Sequence, residues 1–169
     1  MIPEPNKELI KNCQKSDMES FKMLYRHYEK FIFAFCLRML NNRQDTEDAV
    51  QTIFLNLYRG IANFNFQSRF TTYLISITRN VCYNMLKKQK HETDEFEHAK
   101  LIAEDSTNYD QDLSQAISKL PVRTRECFIL FAVEGYPQAE VAAILNIKIG
   151  TVKSLIFQAR KKLVSWLSD

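Results

Sequence analysis

The 169 residues, 46% hydrophobic and 25% charged with a net charge of +3, have the composition of a soluble globular protein of one or two domains. Only 3 glycines and 4 prolines punctuate the chain, which favours long helices over turn-rich sheet. No run reaches the roughly 18 consecutive apolar residues of a membrane span, and Met1-Ile2-Pro3-Glu4 has neither the basic nor the apolar region of a secretory signal, so neither is expected.

In chain order, Ser16 and Glu19 form a capping-box pattern, and Phe21, Leu24, Tyr25, Tyr28, Ile32, Phe35 and Met39 follow at helical spacing. That helix is expected to stop at Asn41-Asn42. Asp45 and Asp48 open a second helix with Val50, Phe54, Leu57 and Ile61 as its buried stripe. The stretch from Phe64 to Arg69 breaks the period. A third helix then turns Phe70, Leu74, Ile77, Val81 and Met85 inward and ends in the basic run Lys87-Lys88-Gln89-Lys90. Residues 91–112 hold Lys100 alone against 8 acidic residues and have little periodicity, so they read as a linker with a short helical piece near Phe96 to Ile102. Helical pattern resumes at Leu113, Leu120-Pro121 marks a boundary, and Arg123 to Val133 is a further helix.

Charge follows the same division. Residues 1–90 carry 14 Lys/Arg against 8 Asp/Glu, and residues 113–169 carry 8 against 4. Two basic blocks around an acidic stretch suit two nucleic-acid-facing modules, although ordinary solvated faces explain the pattern too. Cys13, Cys36, Cys82 and Cys127 form no CxxC pair and do not cluster with His27, His91 or His98. Buried free thiols are therefore expected rather than a zinc site or disulfides, and no cofactor or metal is implied.

The most specific local pattern runs from Gln138 to Leu167. Val141, Ala142 and Leu145 make a short apolar stripe, Asn146 stands where a turn needs a left-handed residue, and Ile147 plugs the turn. Gly150-Thr151-Val152 opens a second helix with Val152, Ile156, Ala159, Leu163 and Trp166 inward. A short helix, a tight turn and a longer helix with a polar, basic outer face is the helix-turn-helix plan, whose second helix fits the major groove. Lys153 and Lys161 suit phosphates, Ser154 and Gln158 base edges, and Phe157 a thymine methyl. A helical hairpin with a solvated face is the alternative.

Leu120-Pro121, Arg125 to Leu130, Glu134-Gly135, Glu140-Val141-Ala142, Gly150 to Ser154 and Ala159-Arg160 resemble region four of the extracytoplasmic-function (ECF) sigma factors of the sigma-70 family. Phe21 to Tyr28, Glu47 to Gln51 with Phe54-Leu55, and Phe70 to Leu74 with Arg79-Asn80 resemble region two. The resemblance covers nearly all of residues 16–168. It implies an all-α chain of two small helical domains: residues 1–90 as a three- or four-helix region 2 bundle, residues 91–112 as the acidic linker, and residues 113–169 as the region 4 helix-turn-helix.

The same resemblance implies partners and sites. Asp48, Gln51, Thr52 and Leu55 would dock on bacterial core RNA polymerase, with Thr52 replacing the family's usual acid. Phe66, Gln67, Ser68 and Arg69 would form the loop that captures a flipped base of the −10 element, with inward packing beside Phe64 the alternative for Phe66, and Thr72, Arg79, Asn80, Tyr83, Lys87 and Lys88 would line the −10 strands. Ser76 lies on that face, and Tyr73 replaces a tryptophan. Thr151, Lys153, Ser154, Phe157, Gln158 and Lys161 would read the −35 element. Lys148 stands where a serine cap is usual, and Leu155 and Gln158 where arginines are common. The resemblance further implies promoter DNA and an anti-sigma factor as partners, a cytoplasmic location, no small-molecule substrate and no enzyme activity. A free-standing helix-turn-helix regulator and a pure interaction protein are the competing readings. No phosphate loop, Ser/His/Asp set or HExxH supports an enzyme.

Overall fold

The computed structural model describes residues 2–93 and 108–167. Among them are eight α-helices and no strand: α1 (Lys7–Gln14), α2 (Met18–Leu40), α3 (Arg43–Gly60), α4 (Phe70–Thr93), α5 (Asn108–Ser118), α6 (Val122–Phe128), α7 (Gln138–Leu145) and α8 (Ile149–Leu167). A 3-10 turn, Ile61–Asn63, follows α3, and a π-helical turn, Ile129–Val133, follows α6. The all-α expectation holds. The helical piece expected near Phe96 to Ile102 lies outside the described residues. The chain clusters into two compact units, one built from residues 2–36 and 44–93, the other from 37–43 and 108–167.

The first unit is organised by aromatic side chains. Tyr25 of α2 meets Phe54 of α3 at 4.3 Å between ring centroids, Phe21 meets Tyr58 edge-on at 5.1 Å, and Tyr28 reaches Phe70 of α4 at 5.8 Å. Leu24, Ile32, Ile53, Leu57, Leu74 and Ile75 fill the space between. Such side chains each contribute on the order of 1.5–3 kcal/mol when fully buried, which outweighs any surface ion pair here. Cys36 and Cys82 lie in this core with their sulfurs 3.7 Å apart, and all four cysteines are buried free thiols, as expected. Their mutual hydrogen bond and burial push the Cys36 thiol well up from its ordinary value.

Helix boundaries depart from the sequence reading in three places. The short helix α1 was not expected; Asn6 caps it by accepting from the Glu8 amide at 3.0 Å, and it buries Ile10 and Cys13. Ser16 does not cap α2. It ends the preceding turn at φ 65°, and Asp17 is the cap, accepting from the Ser20 amide at 3.0 Å. A residue in the left-handed region after α1 cannot also present its side chain to the next helix, so the capping role moves one residue on. Finally, α4 runs to Thr93, and α5 begins at Asn108 rather than near Leu113.

The second unit packs α5, α6 and α7 around α8. Leu120, Cys127, Ile129, Leu130, Val141 and Leu145 are buried. Arg125 is buried as well and donates to the carbonyls of Ser118 and Leu120, tying α6 to the end of α5. Asn146 has φ 52° and ψ 49°, the left-handed conformation expected of it, and the Ile147 amide donates back to Ala142 at 3.0 Å. Val152, Ile156, Ala159 and Leu163 are buried on α8. Trp166 is not: it is 38% exposed, in a last turn whose Val164, Ser165 and Leu167 are exposed too, because α8 outruns its packing partners.

Two stability predictions follow from these helix ends. Replacing Asn146 by Ala should cost about 1 kcal/mol in thermal or urea unfolding, and replacing it by Gly should not, because only the Cβ is penalised at that φ. Hydrogen bonds from Ser20 hold the Asp17 carboxyl below its ordinary range. Its stabilisation is therefore present above the usual carboxylate pKa and disappears as pH falls through the depressed value. Asp17→Ala should flatten that part of the stability–pH curve.

Candidate polymerase and nucleic-acid interface

Three surfaces carry the residues singled out by sequence, and each is the reverse side of a buried stripe. On α3, Thr46, Ala49, Val50, Ile53, Phe54 and Leu57 are buried. Asp48, Gln51, Thr52 and Leu55 are exposed together on another face, with Leu55 47% accessible. Spacings of three and four residues place the carboxylate, amide, hydroxyl and leucine in one row, as expected.

Between α3 and α4 the chain turns through residues 61–69. Phe64 is buried, its ring 5.6 Å from Phe70, 5.1 Å from Tyr73 and 5.0 Å from Phe66. Phe66 is half-buried and sits at φ 60°, which turns the chain sharply and leaves Gln67, Ser68 and Arg69 exposed. The loop is held at its entry by Gln14 of α1, whose side-chain amide donates to the carbonyls of Ile61 (3.0 Å) and Phe64 (2.7 Å). At its exit Glu4 accepts from the amides of Phe70 and Thr71 and from the Thr71 hydroxyl, and lies 3.5 Å from the Arg69 guanidinium. Sequence reasoning missed both Gln14 and Glu4. Their partners lie more than forty residues away, and no local pattern signals such a contact.

On α4, Phe70, Thr71, Leu74, Ile75, Thr78, Val81 and Cys82 are buried, so the inward stripe is wider than the one expected; Ile77 and Met85 are only half-buried. Asn80 and Lys87 are exposed, and Thr72, Arg79 and Tyr83, which point to the same side, are half-buried; Lys88 is exposed too but stands seven residues beyond the buried Val81, in line with the inward stripe rather than opposite it. Ser76, also half-buried, donates back to the Thr72 carbonyl at 2.9 Å. Tyr73 packs on Phe64 and Phe70, and desolvation raises its hydroxyl pKa. That hydroxyl lies 2.7 Å from where a Cβ on Gly60 would stand, so the glycine admits the ring at the end of α3.

On α8, Thr151, Lys153, Ser154, Phe157, Gln158 and Lys161 are all exposed. Phe157 is 70% accessible, a large aromatic left in solvent on a helix whose buried stripe is already complete. Gln158 donates to the Ser154 hydroxyl at 3.3 Å. Leu155 is half-buried at the edge of this face, and Arg160 lies over the Phe131 ring at 5.7 Å. Lys148 precedes the helix, its carbonyl accepting from Thr151 and Val152.

Among the described residues no cluster of histidine, cysteine or carboxylate side chains could hold a metal ion, and no helix is long and apolar enough to cross a membrane.

A sigma-70 region 2 family model matches residues 24–92 and a sigma-70 region 4 model matches residues 110–163. The chain is 30% identical to the ECF RNA polymerase sigma factor SigW of Bacillus subtilis, over 96% of this chain and 97% of that one. It is 28% identical to the ECF RNA polymerase sigma-E factor of Escherichia coli K12, over 92% and 90% of the two chains. In structure it is similar to the sigma factor RpoE of Bartonella quintana, solved in complex with the anti-sigma factor NepR. The TM-score is 0.77 at 25% identity, covering 89% of this chain and 98% of that one. The chain therefore belongs to the ECF RNA polymerase sigma factors of the sigma-70 family.

The close approach at Gly60 yields a test of how the loop is built. Alanine at the end of a helix ordinarily stabilises by up to about 1 kcal/mol over glycine. Here Gly60→Ala should instead destabilise by about 1 kcal/mol, since it crowds the Tyr73 hydroxyl. In a Tyr73→Phe background the same substitution should become neutral or stabilising, and urea unfolding of the four proteins measures that coupling.

Proposed function

We propose that this sigma factor brings core RNA polymerase to promoters through the three exposed faces of α3, α4 and α8. The observation that supports the reading is that all three present polar or cationic side chains away from a buried apolar stripe, in the order of the family's two regions. Residues 1–90 act on polymerase and the −10 element, residues 91–112 link, and residues 113–169 act on the −35 element.

Asp48, Gln51, Thr52 and Leu55 form the polymerase contact, a polar helix face with one apolar anchor. Phe66, Gln67, Ser68 and Arg69 hold an unstacked base of the −10 element. The aromatic and guanidinium groups supply a stacking surface, and the amide and hydroxyl supply edge contacts. Thr72, Arg79, Asn80, Tyr83, Lys87 and Lys88 follow the adjoining strand, the cations on phosphates. Holding the unstacked strand lowers the barrier to promoter melting. Thr151, Lys153, Ser154, Phe157, Gln158 and Lys161 enter the major groove at the −35 element, with Phe157 available to a thymine methyl. The chain acts as a subunit without catalytic groups of its own, in the cytoplasm where polymerase works. An anti-sigma factor is a further partner, supported by the Bartonella quintana relative, which was solved with one.

Run-off transcription with core polymerase on a promoter library tests the reading. Promoter-dependent transcripts are expected. Tight duplex binding without transcription would instead make the chain a free-standing regulator, and polymerase binding without DNA selectivity would make it an interaction protein.

The roles should also separate by mutation. Asp48→Ala or Gln51→Ala should weaken polymerase association, measured by fluorescence titration. Lys153→Ala should leave that affinity intact, weaken upstream-element recognition and lower the salt slope of promoter binding by about one. Loss of both sets at the same step would overturn the assignment.

A further inference from the structure

The segment before α1 is tied to α2 and α4 by specific side-chain contacts. Pro3 and Pro5 flank Glu4 and restrict its backbone. The buried Tyr28 donates its hydroxyl to the Pro3 carbonyl at 3.0 Å, and Asn6 caps α1 immediately beyond. Glu4 is thereby brought to the start of α4. The first amides of any helix lack partners within it. The residue before Phe70 is Arg69, whose side chain has no acceptor, and the first turn of α4 contains no acid. Glu4 fills that need from 66 residues away: the amides of Phe70 and Thr71 and the Thr71 hydroxyl (2.8 Å) donate to its carboxylate.

The same carboxylate lies 3.5 Å from Nε of Arg69. One group therefore sets both the start of α4 and the direction of the last loop side chain before it. Glu4 also lines, with Phe66, Ser68 and Arg69, a cleft of about 300 Å³ beside the loop. Gln14 holds the opposite end of the loop through the Ile61 and Phe64 carbonyls. The loop is thus fastened at both ends by residues that precede α2.

We propose that Glu4 is a positioning residue for −10 recognition: by capping α4 and pairing with Arg69 it fixes the presentation of Phe66, Ser68 and Arg69, and so determines which base the loop prefers. The inference rests on the promoter-reading role proposed above. Its distinctive consequence is that a residue outside the loop changes base preference without contributing to the polymerase face on α3.

The test compares the wild-type chain with Glu4→Ala and Glu4→Gln, each in full length and with core polymerase. Amide exchange followed by mass spectrometry reads residues 64–72, and transcription from promoters randomised in the −10 element reads base preference. Glu4→Ala should raise exchange of that segment about tenfold, the factor expected for loss of a helix cap, with α2 and α3 unchanged. It should also flatten the preference at one −10 position while polymerase affinity stays within about twofold. Glu4→Gln keeps an acceptor for the amides but loses the charge opposite Arg69, so it should restore exchange and recover preference only in part.

Three results would overturn the proposal: unchanged exchange in Glu4→Ala, a loosened loop with unchanged preference, or a loss uniform across promoters that tracks lost polymerase affinity. A wild-type chain that selects promoters while Glu4→Ala selects identically sinks this inference alone. A wild-type chain silent with core polymerase sinks the promoter-reading role and this inference with it.

Discussion

A helix that buries one stripe leaves most of its circumference to solvent, and on that constraint the molecule depends. On α3, α4 and α8 a stripe of apolar residues recurs every third or fourth position and is buried, while Leu55, Phe157 and the last turn of α8 stay in solvent. Burial of a single leucine or phenylalanine outweighs an exposed polar contact several-fold, so the orientation of each helix is decided by its inner face. The outer face is then free to be chosen for partners. Asp48 and Gln51, Asn80 and Lys87, and Lys153 and Lys161 stand where they do because Val50, Val81 and Val152 are buried.

The connections obey a different requirement, the need to satisfy helix ends. Asn146 closes α7 in the left-handed conformation with only the turn's own amides, and Asn41, also left-handed, follows α2. These are local solutions, complete within a few residues. The start of α4 is solved at long range, by Glu4, and the loop before it by Gln14. Local turns tolerate variation in the surroundings. A long-range cap makes the geometry of the loop depend on a second segment of chain, and it does so at the connection whose exposed residues we propose hold an unstacked base.

The departures from the family pattern have physical readings in the structure. Tyr73 occupies a tryptophan position as a packing residue against Phe64 and Phe70, with Gly60 making room for its hydroxyl. Leu155, at a position where arginine is common, is half-buried at the margin of the α8 face rather than projecting from it. Gln158, at another, pairs with Ser154. The outer face of α8 therefore carries fewer cations and a more apolar character, centred on Phe157, than the family pattern implies. In the −35 role proposed for it, a face of that kind gains proportionately more from groove contacts and less from counterion release.

Sequence alone determined the all-α class and the exposed rows on α3 and α8, because each rests on periodicity or on short-range turn chemistry that the chain carries locally. It determined the break between Phe64 and Arg69 and the left-handed Asn146 for the same reason. The resemblance of the chain's motifs to the family gave the two sigma regions. Only the tertiary structure decided that Trp166 lies outside the core, that Thr78 and Cys82 join the buried stripe of α4, and that Glu4 and Gln14 hold the loop between α3 and α4. Those outcomes depend on which surfaces meet and where a helix runs out of partners. That is a property of three-dimensional packing between residues far apart in the chain, and no local spacing encodes it.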